Sequence, residues 1–341
     1  MTTRLKVACV GAGYFSQFHY GSWSRIDRVE LVGSCNRDIE KARATGLPAY
    51  GDLATMLEDK RPDILDIILP PVAHADAIRT ALGAGVKTLI CQKPFCLDRA
   101  EAQEMTALAA ARGVRIVVHE NFRFQPWYRA LKTALDAEIL GDLHQLTFRL
   151  RPGDGQGSDA YLDRQPYFQQ MPRFLVHETA VHWIDTFRFL LGDPIAVYAD
   201  LRRLNPHIAG EDAGYVMLDF PKGVRALFDG NRHLDHAADN HRRTMGEALI
   251  EGSDGTIRLL GDGSLWQRPF GTELETCLLP PDCWDGFGGD CVHALQKHVV
   301  SGLLDGSPME NLAEDYLRVI DIEEAIYTSA ETGQKILLEP H

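Results

Sequence analysis

A chain of 341 residues with a 45% hydrophobic and 24% charged composition is too long for one ordinary core and too apolar for disorder, so two globular domains are expected. Its net charge of −13 disfavours nucleic acid and anionic membrane as partners, and no apolar run reaches the roughly 20 residues of a bilayer span. Seven cysteines, with Cys9, Cys35 and Cys91 in apolar strand-like runs, suit buried thiols in a reducing cytoplasm and offer no paired C-x2-C spacing for zinc.

Residues 5–10 form an apolar run that leads straight in from the N-terminus, with no signal-peptide core, and ends in Gly11-Ala12-Gly13-Tyr14-Phe15-Ser16. Strand, glycine turn and helix are the context in which G-x-G binds a dinucleotide: the first glycine permits the turn and the second lets the backbone approach a pyrophosphate. The helix start adds N–H donors and a positive dipole end. Ser16 stands where a third glycine or alanine is usual. A second strand at 29–35 delivers Asn36-Arg37-Asp38 to the position that reads the ribose. Asn36 can bond a 2′-hydroxyl, Arg37 can pair with a 2′-phosphate and Asp38 favours the hydroxyl, so NAD is expected and NADP stays open. A helix beginning at 39–44, strands at 63–69, 86–91 and 114–119, and helices at 74–84 and 98–112 complete a doubly wound parallel sheet.

From about Gln125 the pattern changes. Residues 127–137 are amphipathic and helical, and 143–150 alternate as a strand. Residues 151–165, with Gly153, Gly155 and Gly157, read either as a mobile loop over a site or as a disordered linker. Residues 172–185 read as one buried helix on which Glu178, His182 and Asp185 share a face. His177-Glu178 opens a zinc-protease signature, but the second histidine would fall at Val181, and His177 and His182 point ~140° apart on an α-helix. Segments 195–204, 214–220, 224–230, 247–251 and 256–260 are expected strands, with Pro221-Lys222-Gly223 as a hairpin connection. His233, His236 and His241 lie among arginines and read as a solvated loop, so no metal site is expected. Helices follow at 290–304 and 312–332, the second with a solvated acidic face (Glu314, Asp315, Asp321, Glu323, Glu324).

Pro70-Pro71-x-x-His74, Gln92-Lys93-Pro94 and Asn121-Phe122-Arg123-Phe124-Gln125-Pro126 together resemble the glucose–fructose oxidoreductase and inositol dehydrogenase family. The resemblance continues through residues 180–185, Leu190-Leu191-Gly192-Asp193-Pro194, residues 251–255 and residues 324–333. It implies a nicotinamide-dependent sugar or polyol dehydrogenase with a Rossmann domain (residues 1–124) and an α/β domain with a large, mainly antiparallel sheet (residues 125–341). The second domain would bind a small sugar and pair copies, as a homodimer or homotetramer, through the outer face of its sheet. Gly11, Ala12, Gly13, Tyr14, Phe15, Asn36, Arg37, Pro71, His74, Gln92, Lys93 and Asn121 would hold the cofactor. Lys93, Arg123, Arg164, Glu178 and His182 would meet the substrate. Two positions depart from the family pattern: Gln92 replaces the glutamate of E-K-P, and Glu178 replaces an aspartate four residues before the histidine. With Q-K-P and H-E-T-x-V-H-W together, the chain is similar to aldose dehydrogenases of the D-apiose type.

Dehydrogenation needs a base for the hydroxyl proton while hydride leaves the same carbon. Histidine titrates near neutrality, so His182 is the candidate base. Lys93 would donate to the substrate oxygen and stabilise developing alkoxide charge. Glu178 would orient the imidazole or a sugar hydroxyl, and Asp185 is a structural partner. The expected reaction is oxidation of an aldose at C1 to its lactone. The rivals are a polyol dehydrogenase and a non-catalytic cofactor sensor of the same fold.

Overall fold

The computed structural model describes residues 4–339. In the first part of the chain, β1 (Leu5–Val10), α1 (Ser16–Trp23), β2 (Val29–Cys35), α2 (Ile39–Arg43), β3 (Ala49–Tyr50) and α3 (Leu53–Lys60) come first. They are followed by β4 (Ile64–Ile67), α4 (His74–Gly83), β5 (Thr88–Gln92), α5 (Arg99–Ala110) and β6 (Arg115–His119). The six strands pair in parallel in the order β3-β2-β1-β4-β5-β6. Both faces of this sheet are covered, which is why β4 and β5 are buried at every position, including the polar Asp66, Thr88 and Gln92, and show no alternation of buried and exposed residues. Asp38, Asp52 and Asp98 start α2, α3 and α5, each accepting a backbone N–H that the helix itself leaves unpaired.

Next come α6 (Pro126–Asp136), β7 (Leu143–Leu150), α7 (Val181–Leu191), β8 (Ala196–Arg202), β9 (Ala213–Asp219) and β10 (Arg225–Asn231). β11 (Gly246–Gly252), β12 (Gly255–Leu259), β13 (Leu265–Pro269) and β14 (Thr276–Leu279) precede α8 (Cys291–Asp305), α9 (Ala313–Thr332) and β15 (Ile336–Leu337). The strands from β7 onward form a nine-stranded sheet in the order β14-β13-β12-β11-β7-β10-β9-β8-β15. Only β7 and β10 run parallel, so the sheet is mixed and mostly antiparallel. One face packs on α7: Trp183 stacks on Phe148 at 4.3 Å and meets Phe228 at 5.6 Å, with its indole N–H donating to the Tyr128 hydroxyl at 2.9 Å. Residues 221–223 form the expected hairpin between β9 and β10, with Phe220 N–H donating to Val224 C=O at 2.8 Å.

The chain divides into two compact units. The first holds the residues up to Asn121 together with Val292–Ile320, and the second holds Phe122–Cys291 and the residues from Asp321 on. A continuous second domain over 125–341 did not anticipate the return of residues 292–320 to the first unit. That return is made by pairings distant in sequence, such as Val118 N–H to Asn311 C=O at 2.8 Å and Arg28 to Asp305 at 2.7 Å.

The glycine-rich stretch 151–165 is neither a linker nor a free flap. Gly153 and Gly155 N–H groups donate to Leu234 and Arg232 carbonyls at 3.0 Å each, and Ala160 and Tyr161 join Phe168, Phe174 and Ile208 in a small core. Gly155 has no room for a side chain, since a Cβ there would lie 2.9 Å from that of Arg232. Two histidines of the solvated loop are held from within the protein: His236 is buried and bonded to Arg151 C=O at 2.8 Å, and His233 meets Asp212 at 2.8 Å, while Leu234, Asp235 and Asp239 stay exposed. No group of three or more possible metal ligands occurs among the described residues.

Candidate active site

The first unit puts its glycine turn where the strand order reverses, between β1 and β4, which is where ligands bind in open parallel sheets. Gly11 has φ +108°, and a Cβ there would sit 2.0 Å from Ile68 C=O. Only glycine fits. At Gly13 a Cβ would meet nothing within 4 Å, which leaves the backbone open for close approach. Ser16 is buried, and its hydroxyl turns back to Gly13 C=O at 2.6 Å, so it closes the turn that a third glycine would otherwise make. The start of α1 carries no acidic residue in its first turn and no side-chain cap, so its dipole end is not neutralised from within. Tyr14 is exposed and Phe15 half-buried beside it.

At the ribose position Asn36 accepts from Ala12 N–H at 3.1 Å and donates to Asp38 C=O at 3.0 Å, which braces the turn. An amide has a further donor and acceptor to offer. Asp38 is the cap of α2, and Arg37 is exposed. Asn121, just past β6, is buried, and its Nδ2 has no hydrogen-bond partner among the described residues. A buried donor left unpaired is costly, so a bound acceptor there would stabilise the protein as well as the ligand. Open space at Gly13, an uncapped helix start and this amide fit a dinucleotide.

Two expected cofactor residues prove to face inward. His74 is fully buried, with Nε2 on Leu69 C=O at 2.7 Å and Nδ1 accepting from Cys96 N–H at 3.3 Å. Burial holds its imidazole down at about 4, and the ring ties the end of β4 to the turn after Lys93. Gln92 is also buried: its amide nitrogen meets His19 Nε2 at 2.7 Å and His119 Nδ1 at 3.4 Å, while Oε1 accepts from Lys93 N–H at 3.2 Å. These bonds engage its amide within the protein. Lys93 follows it, half-buried, and Pro71 is half-buried at the β4 end.

In the second unit, the stretch read as one α-helix is two. Leu175–Ala180 is a π-helix, and α7 begins at Val181. Glu178 therefore stands on the wider turn and His182 on the first turn of α7. What sustains the π-turn lies far off in sequence. Glu211 accepts Phe174 and Val176 N–H groups at 3.1 Å each, Tyr327 donates to Glu211 at 2.8 Å, and His177 N–H donates to Tyr327 at 3.2 Å. Neither Glu211 nor Tyr327 was visible as a site residue, because no local spacing ties them to 174–177.

The His182 ring is 8% exposed and lies parallel to Phe122 at 3.8 Å and 4°, with Phe122 held edge-on by Trp183 at 5.2 Å. Aromatic faces fix the plane of the imidazole. His177 turns away to Glu323 at 2.6 Å, so that member of the acidic face of α9 is buried rather than solvated. Arg123 forks onto Asp185 with contacts of 2.8 and 2.5 Å; this makes Asp185 the structural partner expected and commits the guanidinium of Arg123 internally. Arg164 meets Asp154 at 3.3 Å. Asp154 is shared with Arg232, a buried cation packed among the Tyr161, Phe168 and Phe174 rings, which also donates to Thr179 Oγ1 at 2.7 Å. Through Thr179, Arg232 holds the π-turn that carries Glu178.

Residues 5–120 match the model of an oxidoreductase family with an NAD-binding Rossmann fold, and residues 128–258 match the GFO/IDH/MocA C-terminal domain. A protein of Paraburkholderia graminis named D-apiose dehydrogenase is 33% identical over 98% of this chain and 90% of its own length. A D-apiose dehydrogenase of Rhizobium rhizogenes is 28% identical over 98% of this chain and 97% of its own. Among solved structures, an oxidoreductase from Agrobacterium radiobacter, in complex with NAD+, L-tartaric acid and magnesium, is similar with a TM-score of 0.88 and 27% identity, covering 98% of both chains. The chain therefore belongs to the GFO/IDH/MocA oxidoreductase family, as an enzyme that uses NAD.

Proposed function

We propose that this enzyme oxidises a small aldose, of the branched-pentose kind, at its anomeric carbon to the lactone. The observation that carries the reading is full-length likeness to relatives named D-apiose dehydrogenase. Bound NAD supplies a hydride acceptor at the nicotinamide ring. The chain's own residues supply the rest. His182 takes the hydroxyl proton, its ring plane held by Phe122. Lys93 donates to the same substrate oxygen and stabilises the charge that grows on it. Glu178, on a turn pinned by Arg232 and Glu211, bonds a neighbouring sugar hydroxyl. Arg123 and Arg164 act at one remove, through Asp185 and Asp154.

The test is NADH formation across a panel of aldoses and polyols, followed by His182→Ala and Lys93→Ala variants shown to be folded and to bind cofactor. Each is expected to lower kcat by at least ~100-fold. Wild-type turnover in either variant defeats its assigned role, and activity on inositols alone moves the substrate class to polyols.

Copies of the chain pair, in this reading, through the sheet face opposite α7. Tyr198, Met217, Leu227, Thr147 and Leu249 lie side by side in register across five strands, all at least partly exposed in the single chain. Leu227→Glu is expected to convert the assembly to monomers in light scattering. All seven cysteines are free, which suits a cytoplasmic setting.

A further inference from the structure

Gln92 departs from the family's glutamate, and the surroundings of its side chain are specific about protons. Lys93 N–H can only donate, so the Gln92 atom that meets it is the amide oxygen. The amide nitrogen is then a donor to both His19 Nε2 and His119 Nδ1, and neither of those atoms carries a proton. His19 therefore keeps its one proton on Nδ1 and donates it to Asp66 at 2.7 Å. Asp66 also receives Trp23 N–H at 2.8 Å and Gln296 N–H at 3.4 Å on the same oxygen. Asp66 and His19 are both 0% exposed, and Gln92 is 8% exposed. The titratable neighbour on the other side of His19 is His119, its ring centre 4.1 Å away.

We propose that the buried Asp66–His19 pair is a positioning device: it fixes one neutral imidazole tautomer, that tautomer requires an amide at position 92, and the amide sets the backbone from which Lys93 projects. The functional half of this rests on the reading that Lys93 acts on the substrate oxygen. A glutamate at 92 in its ordinary ionised form has no proton to give His19 Nε2. It is accommodated only when His19 takes a second proton and stands as imidazolium between two carboxylates, Asp66 and the new one.

The experiment is nitrogen NMR of protein carrying 15N-labelled histidine, with His19 assigned by its loss in His19→Gln. In the wild type at pH 7.5, His19 is expected to show Nδ1 protonated and Nε2 bare. In Gln92→Glu both nitrogens are expected to be protonated, and kcat to fall roughly tenfold with the NAD Kd within about twofold. A wild-type His19 protonated on Nε2, or doubly protonated, overturns the proposal whether or not the variant folds. So does a Gln92→Glu spectrum like the wild type. The spectra do not depend on which substrate is oxidised, so they separate this proposal from the sugar reading. The expected spectra with unchanged kcat overturn the link to Lys93 alone.

Discussion

Each unit contains a helix start that bears on the proposed function, and the two are treated oppositely. At α1 the first turn has no side-chain cap and no acid, and Gly13 leaves the backbone bare. At the π-turn, Glu211 and Tyr327 already occupy the N–H groups of Phe174, Val176 and His177. The first arrangement offers backbone donors to an anion. The second uses up its backbone donors in order to hold side chains, Glu178 and His182, in place. A helix start is thus a ligand site only where the protein has left it unfilled.

Breaking the comparison at its most rigid point gives the largest effect. Gly11→Ala would place a methyl group 2.0 Å from Ile68 C=O at a φ of +108°. We expect loss of more than about 4 kcal/mol, read as failure to recover folded protein or collapse of the denaturation midpoint. A folded Gly11→Ala of near wild-type stability would mean that the turn is not built as described.

Glu211→Ala empties the other helix start. It leaves two backbone donors and the Tyr327 hydroxyl without their acceptor, and bonds to a charged group of this kind contribute about 1.5–3 kcal/mol. Glu211 is half-buried, so water recovers part of the loss and about 3 kcal/mol in total is expected from urea titration. The sugar KM should rise more than the NAD Kd changes. A shift in NAD binding alone would contradict the division of labour between the two helix starts.

The two helix starts also differ in how much of them the chain announces. The glycine turn is local: strand, G-x-G and helix are contiguous, and the parallel order follows from buried runs separated by helices. The π-turn is not. Its α-helical reading was reasonable because Phe174 to Ile184 keep an apolar pattern, but the widening is imposed by Glu211 and Tyr327, 37 and 150 residues away from the groups they satisfy. Gln92 and His74 mislead for a related reason. Residue type and position suggest a ribose and a cofactor, while the polar groups that engage them internally come from elsewhere: His19 from α1, Asp66 from β4 and Cys96 N–H from the loop after Lys93. Likewise β13 and the edge strand β14 are not legible as strands, since little of either is buried to mark them.

A smaller effect is expected from acid. His74 titrates at about 4 in the folded protein against an ordinary 6.5, so the unfolded chain binds its proton first as pH falls. Its contribution is complete above pH 6.5 and is lost as pH falls from there toward 4, about 2 kcal/mol by pH 5. Stability curves of wild type and His74→Gln should therefore diverge at pH 7 and converge at pH 5. Parallel curves would place the charge balance of the first unit elsewhere.

The smallest effect in free energy bears most directly on the unfilled helix start. Gly13 has no positive φ among the backbone angles of the turn, and its Cβ position is empty to 4 Å. Alanine at 13 should therefore fold as well as the wild type, or slightly better, since it restricts the unfolded chain. The added methyl points into the space that a pyrophosphate must approach, so NADH titrated by fluorescence should bind about tenfold more weakly, or about 1.4 kcal/mol. Gly11 and Gly13 thus separate two jobs within one turn: the first is glycine because the protein leaves no room, the second because the ligand needs it. If Gly13→Ala binds NADH as the wild type does, the bare backbone at α1 is not what holds the cofactor, and the contrast between filled and unfilled helix starts loses its functional meaning.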